Sequence, residues 1–290
     1  MIQQKLHVLF KNKWVKRASI AIVAAVLLAV VFYISIYFGA FGKLPNTSQL
    51  TNLRQAEATQ ILDKDSKLIG KYYIYDRQPL TYNQFPKHLL DALIATEDVR
   101  FYDHNGVDNI SLMRVFFKTI LFQDQSSGGG STITLQLAKN LFGRDKHIVF
   151  STIINKVKEA IIAKRIEKIY SKQEILTLYL NKVPFPDNTY GIESAARKFF
   201  NVSATNLTLP QAATLVGTLK ANNYYNPRRN LQSSITRRNI VLKQMLKYNY
   251  IDQNQFTQAK QKPILLDYQS FNHDLGLAPY FRAQLKKELG

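Results

Sequence analysis

Between Ala18 and Gly42 the chain runs for 25 residues without a charged side chain. A helix of that length is about 37 Å long, enough to cross the roughly 30 Å hydrocarbon core of a bilayer with some tilt. A buried helix of a soluble domain would show a polar face, and Ile20 to Val31 shows none. A cleavable signal sequence has a shorter apolar region, normally about 7–15 residues. The expectation is one membrane-crossing helix over residues 18–42. Ahead of it stand Lys5, Lys11, Lys13, Lys16 and Arg17 with no acid, and the flank after it begins with a lone Lys43. That asymmetry puts residues 1–17 in the cytoplasm and everything past residue 43 outside.

The location restricts what the charge can mean. The chain carries 39 Lys and Arg against 20 Asp and Glu, a formal charge of +19. Without the five N-terminal positives, 34 basic residues face 20 acidic ones, so the outer part is still +14. Nucleic acid is not a partner on that side. Anionic headgroups or a lipid-linked phosphate are. Hydrophobic residues at 46% exclude a disordered chain, and the absence of Cys excludes a disulfide framework and a thiolate nucleophile.

Residues 43–85 read as a polar linker followed by a short β segment: Gln60-Ile61-Leu62, turn material at Asp63 to Ser66, then Leu68 to Tyr75. From Pro86 to about Lys260 the patterning is mainly helical, interrupted at Pro184, Pro186 and Pro227. Residues 261–290 form a C-terminal extension, loop first and helical from about Ala278.

Three segments carry candidate chemistry. In a helix expected from Leu89 to about His104, the residues Leu90, Ile94, Glu97, Phe101 and His104 share one face, with Gly106 suited to the C-cap. A carboxylate on an apolar face loses hydration and becomes a better proton acceptor. The alternative is a Glu paired with Arg100. The second carboxylate, Glu159, shares a face with Asn155, Ile162, Ala163, Ile166 and Tyr170, and either lines a cleft or pairs with Lys156 at the rim. Glu167, between Lys164 and Lys168, reads as a solvated position. The third segment is Gly128-Gly129-Gly130 leading through Ser131, expected to cap a helix, with Thr132, Gln136, Lys139 and Asn140 on one polar side. A glycine loop opening a helix presents backbone N–H groups to an anion, and Lys139 can meet a phosphate. The alternative is a hinge. Between the first and third segments the apolar run from Leu112 to Phe122 is either core or a patch that dips into the outer leaflet. The histidines have no metal-ligand spacing, and no Ser-x-x-Lys or Lys-Thr-Gly marks a penicillin-reactive serine.

Taken in order, these segments resemble the motifs of the peptidoglycan glycosyltransferases, family 51, found in class A penicillin-binding proteins and monofunctional transglycosylases. Glu97-Asp98-Val99-Arg100-Phe101-Tyr102-Asp103-His104-Asn105-Gly106 is similar to the first motif, and Gly130 to Asn140 to the second. Lys156-Val157-Lys158-Glu159 resembles the third. Ser171 to Asn181 resembles the fourth, with Tyr190-Gly191-Ile192-Glu193 following. Two positions depart: Leu135 replaces the first of two glutamines, and Asn155 replaces an arginine that helps hold a diphosphate. Ala278 to Arg282 is similar to the stretch that leads toward a transpeptidase domain in bifunctional members, so the chain is expected to be the front part of such a protein.

The resemblance implies a mainly α, lysozyme-like glycosyltransferase domain over residues 86–260, polymerising lipid II into β-1,4 glycan with release of undecaprenyl diphosphate. It implies Glu97 and Glu159 as catalytic carboxylates, and Arg114, Ser131, Thr132, Gln136, Lys139, Asn140 and Lys156 as the substrate-binding set. It implies no dedicated metal site, with a divalent cation, Mg or Mn, at the diphosphate, where Glu159 either orients the region or holds that cation. The implied partners are lipid II, the nascent glycan strand, membrane lipids, and proteins of cell-wall synthesis or division, at the bacterial plasma membrane. The competing readings are a membrane-anchored muramidase, which needs no site for a diphosphate, and a non-enzymatic scaffold.

Overall fold

The computed structural model describes residues 13–51, 53, 59–62, 68–72, 79–114, 130–146, 149–269 and 284. The first element, α1 (Lys13–Tyr37), is 25 residues long and apolar enough to cross a membrane, with a mean hydropathy of 2.8 and Ile36 its one buried residue. The helix begins and ends about five residues before the uncharged run does. Arg17, Lys16 and Lys13 extend it, and Gly39 and Gly42, both at positive φ, unwind its far end.

After the short α2 (Thr47–Thr51), β1 (Thr59–Leu62) and β2 (Leu68–Tyr72) pair antiparallel, with Thr59 opposite Tyr72. The expected β segment is therefore present. Its turn lies outside the described residues.

The domain is built around α3 (Lys87–Glu97). Leu89 to Ala95 are all buried, as befits a helix enclosed on every side. The helix shares one continuous apolar core with α4 (Ile133–Phe142), α6 (Lys172–Lys182), α7 (Ile192–Phe200), α8 (Leu209–Thr218) and α9 (Leu231–Lys247), the last two packing directly against it. Their starts are written in the sequence. Ser171 with Glu174 and Thr208 with Gln211 form capping boxes, and a third, Asp252 with Gln255, opens α10 (Gln253–Gln261). Arg238 of α9 is buried, and its guanidinium donates to the carbonyls of Lys260 (2.9 Å) and Lys262 (2.6 Å) at the end of α10. A two-residue pair, β3 (Pro184–Phe185) and β4 (Thr189–Tyr190), turns through Asp187 and Asn188, both left-handed.

The long α5 (Ser151–Ile169) ties the domain to α1. Ile154 and Ile161 bury against Ile36, with Phe32, Phe41, Leu44 and Val157 around them. Arg165 adds a hydrogen bond to the carbonyl of Pro45 at 2.7 Å. The apolar run between the first and third segments is only partly visible. Ile110, Leu112 and Met113 are exposed, and the rest, 115–122, lies outside the described residues.

One expectation fails in a way that shapes the site. The helix read as continuing to His104 stops at Glu97. Asp98 leaves helical geometry because its carboxylate is needed elsewhere: it accepts from the Ile133 N–H of α4 (3.0 Å) and from His104 Nε2 (3.0 Å). The Gly106 N–H donates to His104 Nδ1 at 3.2 Å, which assigns the Nε2–H tautomer. Gly106 is not a helix cap. It sits at φ +89°, and a Cβ there would lie 2.9 Å from the carbonyl carbon of Ala163 on α5. Sequence periodicity could not reveal this, because the competing partners are 35 and 57 residues away.

Candidate active site

Glu97, the last residue of α3, projects into a cleft of about 970 Å³. Its Oε2 accepts from Gln136 Nε2 of α4 at 2.8 Å. Gln136 is itself oriented, since its Oε1 accepts from the Tyr179 hydroxyl of α6 at 2.8 Å. Tyr179 is fully buried. Burial, and then the charge of Glu97, hold its phenol well above the ordinary value, so it remains a donor. The chain from Tyr179 through Gln136 fixes which face of the amide Glu97 meets. Arg100 does not pair with Glu97. It pairs with Asp108, which also accepts from the Ser111 hydroxyl and from the backbone N–H groups of Ile110 and Ser111. Asp108 thereby caps the helical residues 109–114 that carry Arg114 to the cleft. Burial alone would raise the Asp108 carboxyl, but the hydrogen bonds from Arg100 and Ser111 hold it well below the usual carboxylate range.

The third segment also differs from expectation. The cap of α4 is Thr132 and not Ser131: Thr132 Oγ1 accepts from the Leu135 N–H at 3.1 Å and donates to the Gly106 carbonyl at 2.6 Å. With Asp98 on the Ile133 N–H, two of the first-turn amides are already occupied. Those two amides are not free to meet an anion. Gly130 lines the cleft, and Gly128 and Gly129 lie outside the described residues. Ser131, Thr132, Gln136, Lys139 and Asn140 all line the cleft together with Glu97 and Arg114.

Glu159 stands on the same cleft, buried on α5 as its helical face predicts. The rim salt bridge with Lys156 is present, with Nζ 3.1 Å from Oε2, although the pair is not aligned as a hydrogen bond. Lys156 also donates to Ser131 Oγ at 3.1 Å. On the other oxygen, Arg144 Nε donates to Glu159 Oε1 at 2.7 Å. Arg144 had no signal in the sequence, because it lies in a loop without periodicity. Glu167, read as solvated, is instead half-buried with its side chain only 4% exposed, accepting from Thr134 Oγ1 (2.6 Å) and pairing with Lys172 (2.8 Å). Lys172 donates as well to the His104 carbonyl at 2.6 Å, so this triad locks α4, α5 and α6 behind the cleft. The cleft is also lined by Asn222, Asn223 and Tyr224 and by Arg237, Gln244 and Lys247 of α9, for which the sequence offers no signal.

Such a cleft can take a proton at Glu97 and hold negative charge beside Lys139 and Lys156. A family model described as Transglycosylase matches residues 65–246. Penicillin-binding protein 1A of Vibrio cholerae is 36% identical over 268 residues, covering 92% of this chain and 32% of that protein. Penicillin-binding protein 1A of Escherichia coli is 36% identical over 277 residues, covering 96% of this chain and 32% of that protein. The crystal structure of penicillin-binding protein 1A from Haemophilus influenzae is similar at 26% identity and a TM-score of 0.45, over 82% of this chain and 24% of that one. The chain spans about a third of the length of the curated relatives it matches.

Proposed function

The chain belongs to the transglycosylase family, and from that premise we propose that it is a peptidoglycan glycosyltransferase of cell-wall synthesis acting on lipid II. The observation that carries the reading is the sharing of one cleft by Glu97 and a cluster of cations around Glu159. A glycan hydrolase needs the carboxylate but has no diphosphate to hold. This cluster supports transfer.

Glu97 takes the proton of the acceptor sugar hydroxyl as its oxygen attacks the anomeric carbon of the donor. The anomeric C–O bond breaks with inversion, and its electron pair leaves on the diphosphate. Gln136 keeps the Glu97 carboxylate aimed at the cleft. Lys139 and Lys156 stabilise charge that grows as the bond breaks, so they act more strongly on the transition state than on bound substrate. A divalent cation enters the proposal on the substrate's own phosphate oxygens. Among the described residues no group of three or more His, Asp and Glu side chains comes together, and Glu159 is already flanked by Arg144 and Lys156. The chain is anchored by α1 with its N-terminus in the cytoplasm, which sets the cleft beside the outer leaflet, where the lipid tail stays. Proteins of wall synthesis or division are its expected neighbours.

Purified protein incubated with labelled lipid II in detergent should yield glycan polymer. Cleavage of finished glycan with no polymer formed would replace the transferase by a muramidase.

A further inference from the structure

Gly143, at φ +69°, ends α4 with its N–H on the Lys139 carbonyl, and the chain returns toward α5 through residues 144–146. Asn155 of α5 is 5% exposed and does not point its amide into open cleft. Its Oδ1 accepts from the Asp145 N–H at 3.2 Å, and its Nδ2 donates to the Asp145 carbonyl at 2.8 Å and the Ser151 carbonyl at 2.9 Å. A side-chain amide gripping both polar groups of one residue imitates a strand pairing and removes the freedom of that residue's backbone. The residue held is the neighbour of Arg144. Arg144 reaches Glu159 through Nε alone, and among the described residues no other hydrogen bond engages its guanidinium. Its side chain is 39% exposed, on the wall that also carries Lys139, Asn140 and Lys156. Two cations thus flank one carboxylate and Lys139 lines the same cleft, an excess of positive charge suited to a ligand with more than one negative charge. The forked Nη groups suit two phosphate oxygens.

We propose that Arg144 contacts the departing diphosphate of the donor, and that Asn155 is a positioning residue acting through Arg144 by pinning the 144–146 loop. The proposal rests on the glycosyltransferase reading. No proton moves in this contact: Arg144 donates N–H bonds to phosphate oxygens as they receive the electron pair of the broken anomeric bond.

The test uses the full chain in detergent and measures binding of geranylgeranyl diphosphate and geranylgeranyl monophosphate. Arg144→Gln keeps a donor for Glu159 and removes the charge. It should weaken diphosphate binding about tenfold or more, the size of a charge-assisted contact, and monophosphate binding by much less. Arg144→Lys should recover part of the loss. Asn155→Ala should weaken diphosphate binding several-fold, and the double variant should bind no worse than Arg144→Gln alone, because both act on one contact. Thermal unfolding of each variant separates this from lost fold, since a merely structural pair would lower the midpoint without separating the two ligands. Diphosphate binding by Arg144→Gln equal to wild type, or losses that add in the double variant, overturns the inference while leaving a polymerising wild type untouched. A wild type that neither binds the diphosphate nor makes polymer overturns both readings.

Discussion

Glu97 has a geometry that can be tested one atom at a time. Its carboxylate is half-buried, receives one amide N–H, and faces a cleft. Glu97→Gln preserves size and removes the proton acceptor. We expect polymerisation to fall at least about a hundredfold, within the range for a positioned general base, with the unfolding midpoint unchanged. A variant retaining more than a tenth of wild-type turnover would refute the assignment. Tyr179→Phe removes only the hydroxyl that orients Gln136. The fold loses one buried hydrogen bond, about 1 kcal/mol. Turnover should fall roughly tenfold, the effect of an additional 1.4 kcal/mol on the barrier. The effect should appear in kcat more than in KM. A drop confined to KM would mean that Gln136 serves binding and not the base.

Between α3 and α4 the polar residues act as joints. Asp98 ends one helix and begins the other. Thr132 fastens the second to the Gly106 turn. Asn181 grips the backbone of Leu80 through both its amide atoms, at 3.0 and 2.8 Å, in the way Asn155 grips Asp145. Asp108 is the joint with a pH signature. Its carboxyl is held below the usual range in the folded state, so its contribution to stability is present above the unfolded value near about 4 and is lost as pH falls through the lower folded value. Asp108→Asn should lower stability at pH 7 by about 2 kcal/mol, the sum of a cap and a charged hydrogen bond. On acidification from pH 5 the wild-type and variant unfolding midpoints should converge. Parallel curves down to pH 2 would show that Asp108 is not the group responsible.

For the molecule as a whole, α1 is both an anchor and a structural partner. Its inner turns present apolar side chains to the surroundings, while Phe32 and Ile36 join the cluster with Ile154 and Ile161 of α5. The same helix that carries Glu159 is therefore held against the membrane-crossing segment. We expect the chain to stay in the membrane pellet after washing with alkaline carbonate or 1 M salt, and to need detergent for release. Release by either wash would mean that α1 does not span. The charge of +14 outside the N-terminal flank adds attraction to an anionic surface, but this is screened by salt and does not replace the anchor.

Properties that depend on near neighbours were legible in the residues alone. The apolar length of α1, the buried face of α5 with Glu159, and the paired strands before the domain all follow from periodicity or local hydrogen bonding. The motifs likewise pointed to Glu97, Gln136 and Lys139. What only the tertiary structure decided depends on groups far apart in sequence competing for the same partner. The end of α3 at Glu97 is set by Asp98 bonding to Ile133 and His104. The covering of the Glu167 side chain comes from Thr134 and Lys172, against the solvated appearance given by its lysine neighbours. Arg144 reaches the cleft because Asn155 holds the loop beside it. Helical periodicity carries no information about such contacts, since the energy of each is realised only when the chain has already folded back on itself.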